Sequence, residues 1–577
     1  MKLKKIAAFL LALVLAVTCI PAASAAKAEK NVVIVIGGFT SSSLYLNYGT
    51  EEEEQVWSIG LDDVGGQIKD DIGNFLLTLM AVFIGKPEIF GKTLGQGTQV
   101  ILEKMRCNPD GTSVYPLEHY PNDPAISSYK YLMEELEGEG VVETHLCDAI
   151  SPAVGDENIF IFHNDFRMSA SITAKELRKY VLDVLEYTGV DKVDIFGLSH
   201  GGQILGTYLN MYCNDTRVDN AVMSVPALGG TYLGAQLLNG NMDIAVYELL
   251  QFLETAVSPD TGIARFLLTG ALASFASGLG NGFSEGVRDL IVNWGCVWDF
   301  IPAEIYDETK TQYLDSKKNA GLIALSDYYH YDIIPNFNKR FTACQKTGTS
   351  VSITCNTGTR IALGERVNSD IIIHTNSVSG AYCAPFGERF ALDYTPKNTT
   401  CANPKHNHIS PSGEIDASCA YLPENTWFIE DQYHGMYAFE EYTMSLIQTL
   451  LLTDDIKNVH SDPAYPQFEI SQHEYLSVYA KLDKSPSGYA TPEDSELIIR
   501  NLSSYPMAIN SVTGVDFYDV DFAAFKAGII RPGEQVSISV KGELKDGRNY
   551  AKLYVSYTLI GSPTPVGIRE FDFTTFA

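Results

Sequence analysis

The sequence predicts an α/β architecture, a mostly parallel sheet covered by helices, followed by a C-terminal all-β sandwich domain. Three observations carry this expectation. Asn31 to Gly38 reads NVVIVIGG, a continuous apolar run ending in glycines, as a strand buried on both faces requires. From Glu157 to Val225, strand-like runs alternate with helix-length amphipathic segments, which calls for right-handed crossovers between parallel strands. From about Pro463 the texture becomes short segments that alternate apolar with polar residues between Pro, Gly, Asn and Asp.

Each element follows from local pattern. ENIFIFHNDF (Glu157 to Phe166) supplies the next buried strand. In TAKELRKYVLDVLEYTG after it, Thr173 and Glu176 have capping-box spacing. Leu177, Val181, Val184 and Leu185 share one helical face, and Gly189 suits a left-handed stop. Strand KVDIF, a helix from near Gly202 and strand AVMSV (Ala221 to Val225) continue the alternation. It then stops, and the apolar runs of 234–300 read as an inserted helical cap, because the segment is too long for a loop. NFLLTLMAVFIG (Asn74 to Gly85) is a further lid candidate. The catalytic domain is expected over 31–460. The accessory domain, over 464–577, is expected to be an immunoglobulin- or fibronectin-III-like sandwich containing SELIIRNL, MAINSVTGV, QVSISVKGEL and YAKLYVSYTLI.

Composition bounds the function. An apolar fraction of 45% can supply a large core, and a net charge of −30 with no basic stripe opposes nucleic acid as a partner. Residues 1–25 combine a Lys-rich start, an apolar run and small residues Ala23 and Ala25, the pattern of a removable Sec signal peptide. The rival reading is a lipoprotein anchor at Cys19, where Thr18 replaces the expected small residue. The expected mature protein is secreted, extracellular or cell-surface associated. Nine cysteines follow Cys19, an odd number with no CxxC spacing, so neither a complete disulfide framework nor a zinc site is read from them.

The chemistry centres on Gly197-Leu198-Ser199-His200-Gly201, a GxSxG lying where a strand gives way to a helix. That context is the nucleophile elbow of an α/β-hydrolase fold, in which the serine sits on a strained turn and flanking side chains would strike backbone. Serine needs a histidine to take its proton and a carboxylate to orient that histidine, and in this fold they follow in the order Ser, Asp or Glu, His. Asp370, in a polar turn after the strand VSITCNTGT, is the expected acid, with Asp393, Asp416 and Asp431 as alternatives. His434, in the loop between strand WFIE and an amphipathic helix, is the expected base. His406 and His408 in KHNHISP read as loop residues or as a weak metal site without a complete ligand set, and His374 lies too near Asp370 in sequence. The oxyanion hole calls for the N–H of His200 and one from the loop IGGFTSSSLY, best Phe39, with Gly38 and Thr40 as alternatives. The His200 side chain enters the helix and is not expected to act as base. The chemistry requires no organic cofactor, and no metal site is assigned.

Several segments together resemble the lecithin:cholesterol acyltransferase family of α/β-hydrolases, and more loosely the bacterial true lipases. These are GGFTSSSL (Gly37 to Leu44), similar to the family's oxyanion loop, VWSIGLDD near Trp57, Asp165-Phe166-Arg167, and GLSHGG followed by SVPALGG. The likeness spans Asn31 to Ile456 discontinuously. It implies Ser199 as nucleophile, Asp370 as acid, His434 as base, Phe39 and His200 as oxyanion donors, and acyl-ester chemistry on lipids by hydrolysis or transfer. Contact with a lipid surface or cell envelope follows as an expectation. Ile36, Leu198 and Ile371 depart from the family's Pro, His and Gly at those positions. Two other readings remain at this point: an esterase or peptidase acting on a more polar substrate, and a noncatalytic surface-binding protein on a hydrolase scaffold.

Overall fold

The apolar run at the start has a direct structural reason. In strand β1 (Val33–Ile36), Val33 and Val35 enter one hydrophobic core while Ile34 and Ile36 enter a second on the opposite face of the sheet. All four are fully buried. The computed structural model describes residues 31–57, 103–239 and 288–576, the last stretch with short breaks.

Six strands join β1: β2 (Ile159–Phe162), β3 (Val193–Leu198), β4 (Val218–Ser224), β5 (Ser350–Thr357), β6 (Thr426–Glu430) and β7 (Phe468–Ile470). Their order is β7-β6-β5-β4-β3-β1-β2, and all neighbours are parallel. This is an α/β-hydrolase fold. The chain steps outward from β1 to β2, returns across β1 to β3, then proceeds strand by strand to the far edge. The crevice beyond the carboxyl ends of β1 and β3 is therefore a topological switch point, where such sheets build their sites.

Helices cover both faces. On one side lie α1 (Thr144–Val154), with buried Leu146 and Ile150, and a C-terminal helix described below. The other side carries α2 (Ala170–Thr188), with Leu177 and Val181, and α3 (His200–Met211), with Ile204 and Leu205. α2 ends at Gly189 (φ 72°), as its sequence predicts, but begins three residues before Thr173. The Ser169 side chain accepts from Ser171 N–H, the buried Asp299 carboxylate accepts from Ala170 N–H at 2.7 Å, and Thr173 lies buried in the first turn. A cap supplied by an aspartate 130 positions away leaves no local signature.

The segment expected as a cap is described only at its ends, in α4 (Tyr232–Asn239) and α5 (Gly295–Asp299). Residues 240–287, the lid candidate at 74–85 and the leader 1–25 lie outside the described residues. Among the described residues no helix is long and apolar enough to cross a membrane. α6 (Phe337–Lys346) packs on the α3 side, and α7 (Glu441–Leu452) lies beside α1 with Leu446 and Leu450 buried.

The parallel sheet includes β7, past the boundary of 460–464 expected from texture. A three-residue strand is too short to display a period. Beyond it are two antiparallel sheets. One pairs β8 (Leu476–Lys481), β9 (Ser495–Asn501) and β12 (Gln535–Val540), with β9 central. The other runs β11 (Ile529–Ile530), β10 (Met507–Val515), β13 (Arg548–Leu559), β14 (Val566–Phe576). Arg500 of β9 is buried between two carboxylates, Glu414 at 2.7 Å and Glu430 of β6 at 3.0 Å, which ties this region to the parallel sheet.

Candidate active site

Ser199 sits between β3 and α3 with φ 55° and ψ −115°, a strained conformation for a residue with a side chain. The surrounding glycines permit it. A Cβ on Gly197 would stand 2.6 Å from the Gly201 carbonyl oxygen, and one on Gly201 would stand 2.4 Å from that of Ile36. Only bare backbone lets α3 start this close to the end of β1. The docked end of β1 carries the loop of Gly38 and Phe39, and a Cβ placed on Gly38 would lie 3.7 Å from Ser199 Cβ.

The Ser199 hydroxyl lies 3.0 Å from His434 Nε2, and His434 Nδ1 lies 2.7 Å from Asp370 Oδ2. His434 follows β6, and its backbone N–H donates to the Asp370 carbonyl at 2.9 Å, so the two loops are fastened to each other as well as through their side chains. Asp370 is fully buried, and its other oxygen accepts from Ile372 N–H at 3.0 Å and Ile373 N–H at 2.7 Å. These bonds fix the carboxylate plane, which in turn fixes the imidazole. Ile371 takes φ 84°, the region glycine prefers. The missing glycine after the acid is thus a strained isoleucine in the same turn.

The other candidates are placed elsewhere. Asp416 is buried but accepts from Tyr394 Oη, Lys397 N–H and Ser418 N–H, and Asp393 is exposed. Asp431 lies outside the described residues. His374 packs against the Tyr232 ring, and His408 bonds Gln467. The His200 ring is buried against Phe39 and Phe300 with Nδ1 on Gln203 Oε1; burial pushes its pKa down to about 4. Its backbone N–H is at the first position of α3, among those a helix leaves without an internal partner.

One contributor has no sequence signature. Glu143, a left-handed residue (φ 53°) before α1, is half-buried beside the oxyanion loop, where Val142 packs on Gly37. Its carboxylate accepts from Tyr437 Oη and lies within electrostatic reach of His434; burial raises its pKa. The Phe39 ring, 40% exposed, stands edge-on to Phe166 and Phe300 and forms an apolar wall next to the serine. Asp165 and Arg167 form a two-pronged ion pair, and Arg167 also holds the Met105 carbonyl, so this segment braces the loops without reaching Ser199 Oγ.

No protein-family model matches the chain, and no curated protein matches it in sequence. Solved structures align at low similarity. Phospholipase PlaB from Legionella pneumophila shares 12% identity over 78% of this chain and 87% of its own, with a TM-score of 0.27. A study of carboxylesterases from the Thaumarchaeon Nitrososphaera gargenis provides a structure at 14% identity, covering 37% and 68%, with a TM-score of 0.17. A 2-hydroxy-6-oxo-6-phenylhexa-2,4-dienoate hydrolase from Rhodococcus matches at 11%, covering 37% and 67%, with a TM-score of 0.18.

Proposed function

We propose that this protein is an exported serine hydrolase that cleaves or transfers acyl groups of lipid esters through an acyl-serine intermediate. The observation that carries the proposal is the hydrogen-bonded chain Ser199–His434–Asp370, with both bonds at 3.0 Å or less. Ser199 Oγ attacks the ester carbonyl as His434 Nε2 takes its proton, and Asp370 holds the imidazole in the required tautomer and stabilises the resulting cation. The Phe39 and His200 N–H groups receive the oxyanion. Protonated His434 passes its proton to the leaving alcohol, and water or a second alcohol then releases the acyl group. The likeness to the acyltransferase family and the apolar run of 234–300 favour a fatty acyl chain, whose burial contributes about 0.8 kcal/mol per CH₂. Export rests on the leader pattern of residues 1–25.

The test is fluorophosphonate labelling with peptide mapping, joined to kcat/KM for esters from acetyl to palmitoyl below their micelle concentrations. Label on Ser199, absent in Ser199→Ala, and a specificity constant rising with chain length are the expected results. Label on another serine overturns the site, and an acetyl-favouring profile moves the substrate to polar esters while leaving the serine chemistry in place.

A further inference from the structure

A second constellation lies apart from the triad and shares no residue with it. Cys401, His406, His408 and His460 each offer one donor atom, and these four atoms all lie within 4.8 Å of one another. Cys401 Sγ is 3.4 Å from His460 Nε2 and 3.9 Å from His406 Nδ1. In a tetrahedral zinc site with bonds of about 2.3 Å to sulfur and 2.0–2.1 Å to nitrogen, neighbouring donors stand roughly 3.3–3.6 Å apart. The cluster is a slightly expanded version of that geometry. From sequence only His406 and His408 could be associated; the fold adds Cys401 and brings in His460 from beyond α7.

His408 supplies the second, independent observation. The residue is 1% exposed, and its Nε2 is buried without a hydrogen-bond partner. Its Nδ1 lies 2.7 Å from Gln467 Oε1. The Gln467 amide is itself oriented, because its Nε2 donates to the carbonyls of Pro423 at 2.6 Å and Thr426 at 3.2 Å. Gln467 Oε1 must therefore accept, His408 Nδ1 must carry the proton, and Nε2 presents a bare lone pair to the cluster. A buried acceptor with no donor is costly, whereas a metal ligand whose far nitrogen is fixed by a carbonyl is the usual second shell of a bound imidazole. Glu424 lies within electrostatic reach of His406 and His460, so one thiolate and one nearby carboxylate balance a divalent charge. A cavity of about 370 Å³ lined by His406, His460 and Asp462 gives an ion a way in.

We propose that these four residues form a structural zinc-type site that clamps the 401–408 segment to the chain entering β7. Four protein ligands fill a tetrahedral ion and leave no position for substrate. Binding displaces the Cys401 thiol proton to solvent and changes no oxidation state. His408 leads into a backbone bridge between Ile409 and Asp416, and the Gln467 carbonyl accepts from Phe428 N–H of β6. The ion would thus fasten the sheet edge just before the chain enters its C-terminal β region.

The experiment uses the full-length protein, stripped with a chelator and reloaded with Zn²⁺ or Co²⁺. One ion per chain after gel filtration, a raised Tm on reloading, and tetrahedral cobalt absorption with a thiolate-to-cobalt band are expected. Cys401→Ser should lose the thiolate band and His408→Ala the stoichiometric ion, while Cys419→Ser retains both. Fluorophosphonate labelling of Ser199 reports the folding of each variant and fails separately if the hydrolase reading is wrong. No ion held by the wild-type chain at excess Zn²⁺, or binding unchanged in the Cys401→Ser, His408→Ala double variant, overturns the site.

Discussion

Replacing Gly201 by alanine tests whether the contact between α3 and the end of β1 sets the oxyanion hole. The new Cβ would lie 2.4 Å from the Ile36 carbonyl oxygen and 2.5 Å from that of Gly37, both backbone atoms that no rotamer change can move aside. Restoring ordinary contact requires the elbow and the loop of Phe39 to part by about 1 Å. A displacement of that size costs on the order of 10²-fold in rate, comparable with losing one oxyanion donor. Overpacking costs roughly 1–3 kcal/mol of stability, which a domain of ordinary stability survives. The assay is kcat and KM on a short activated ester, with Tm and the rate of fluorophosphonate labelling measured alongside. Gly206→Ala is the control, because its Cβ would meet the Leu228 side chain at 2.4 Å, in the core under α3. We expect kcat to fall about 10²-fold in Gly201→Ala with KM little changed, and Gly206→Ala to lose stability but keep kcat. A folded Gly201→Ala with kcat within about threefold of wild type, well short of the loss expected for one oxyanion donor, would refute the reasoning.

Three other outcomes follow from particular contacts. Asp370→Asn keeps the shape of the turn but lets His434 adopt the wrong tautomer, so kcat should drop on the order of 10⁴-fold with little change in Tm; a drop below about tenfold removes Asp370 from the role. At residue 371 the usual order of small residues should reverse: alanine loses the buried side chain and keeps the φ 84° strain of about 1–3 kcal/mol, whereas glycine loses both. Ile371→Gly should therefore unfold at a higher temperature than Ile371→Ala, and the opposite order in calorimetry refutes this. Burial lifts the Asp194 carboxyl in the fold to about 7, well above its unfolded value. Its favourable contribution is then full below the unfolded pKa and lost as pH rises to about 7. Asp194→Asn can keep the acceptor for Asn220 and removes the titration. Its Tm relative to wild type should be higher at pH 8 than at pH 4; a pH-independent difference counts against the assignment.

Features encoded in contiguous residues are legible in the sequence. The run NVVIVIGG had to be a strand buried on two faces, and the glycines around Ser199 had to sit where backbone meets backbone. The chain order Ser199, Asp370, His434 followed from the fold class, because the end of each strand in a parallel sheet faces the same crevice. Other features needed the tertiary structure. Asp299 caps α2 although Thr173 has the better local spacing, and Glu143 pairs with Tyr437 beside the oxyanion loop with no motif around it. Arg500 joins Glu414 and Glu430, and His460 joins Cys401, His406 and His408. Helix and strand periods, turn glycines and caps report interactions within a few residues, and the sequence alone determines those. Which distant side chains share a carboxylate, a buried charge or a set of donor atoms depends on how the layers pack, and only the tertiary structure decided it.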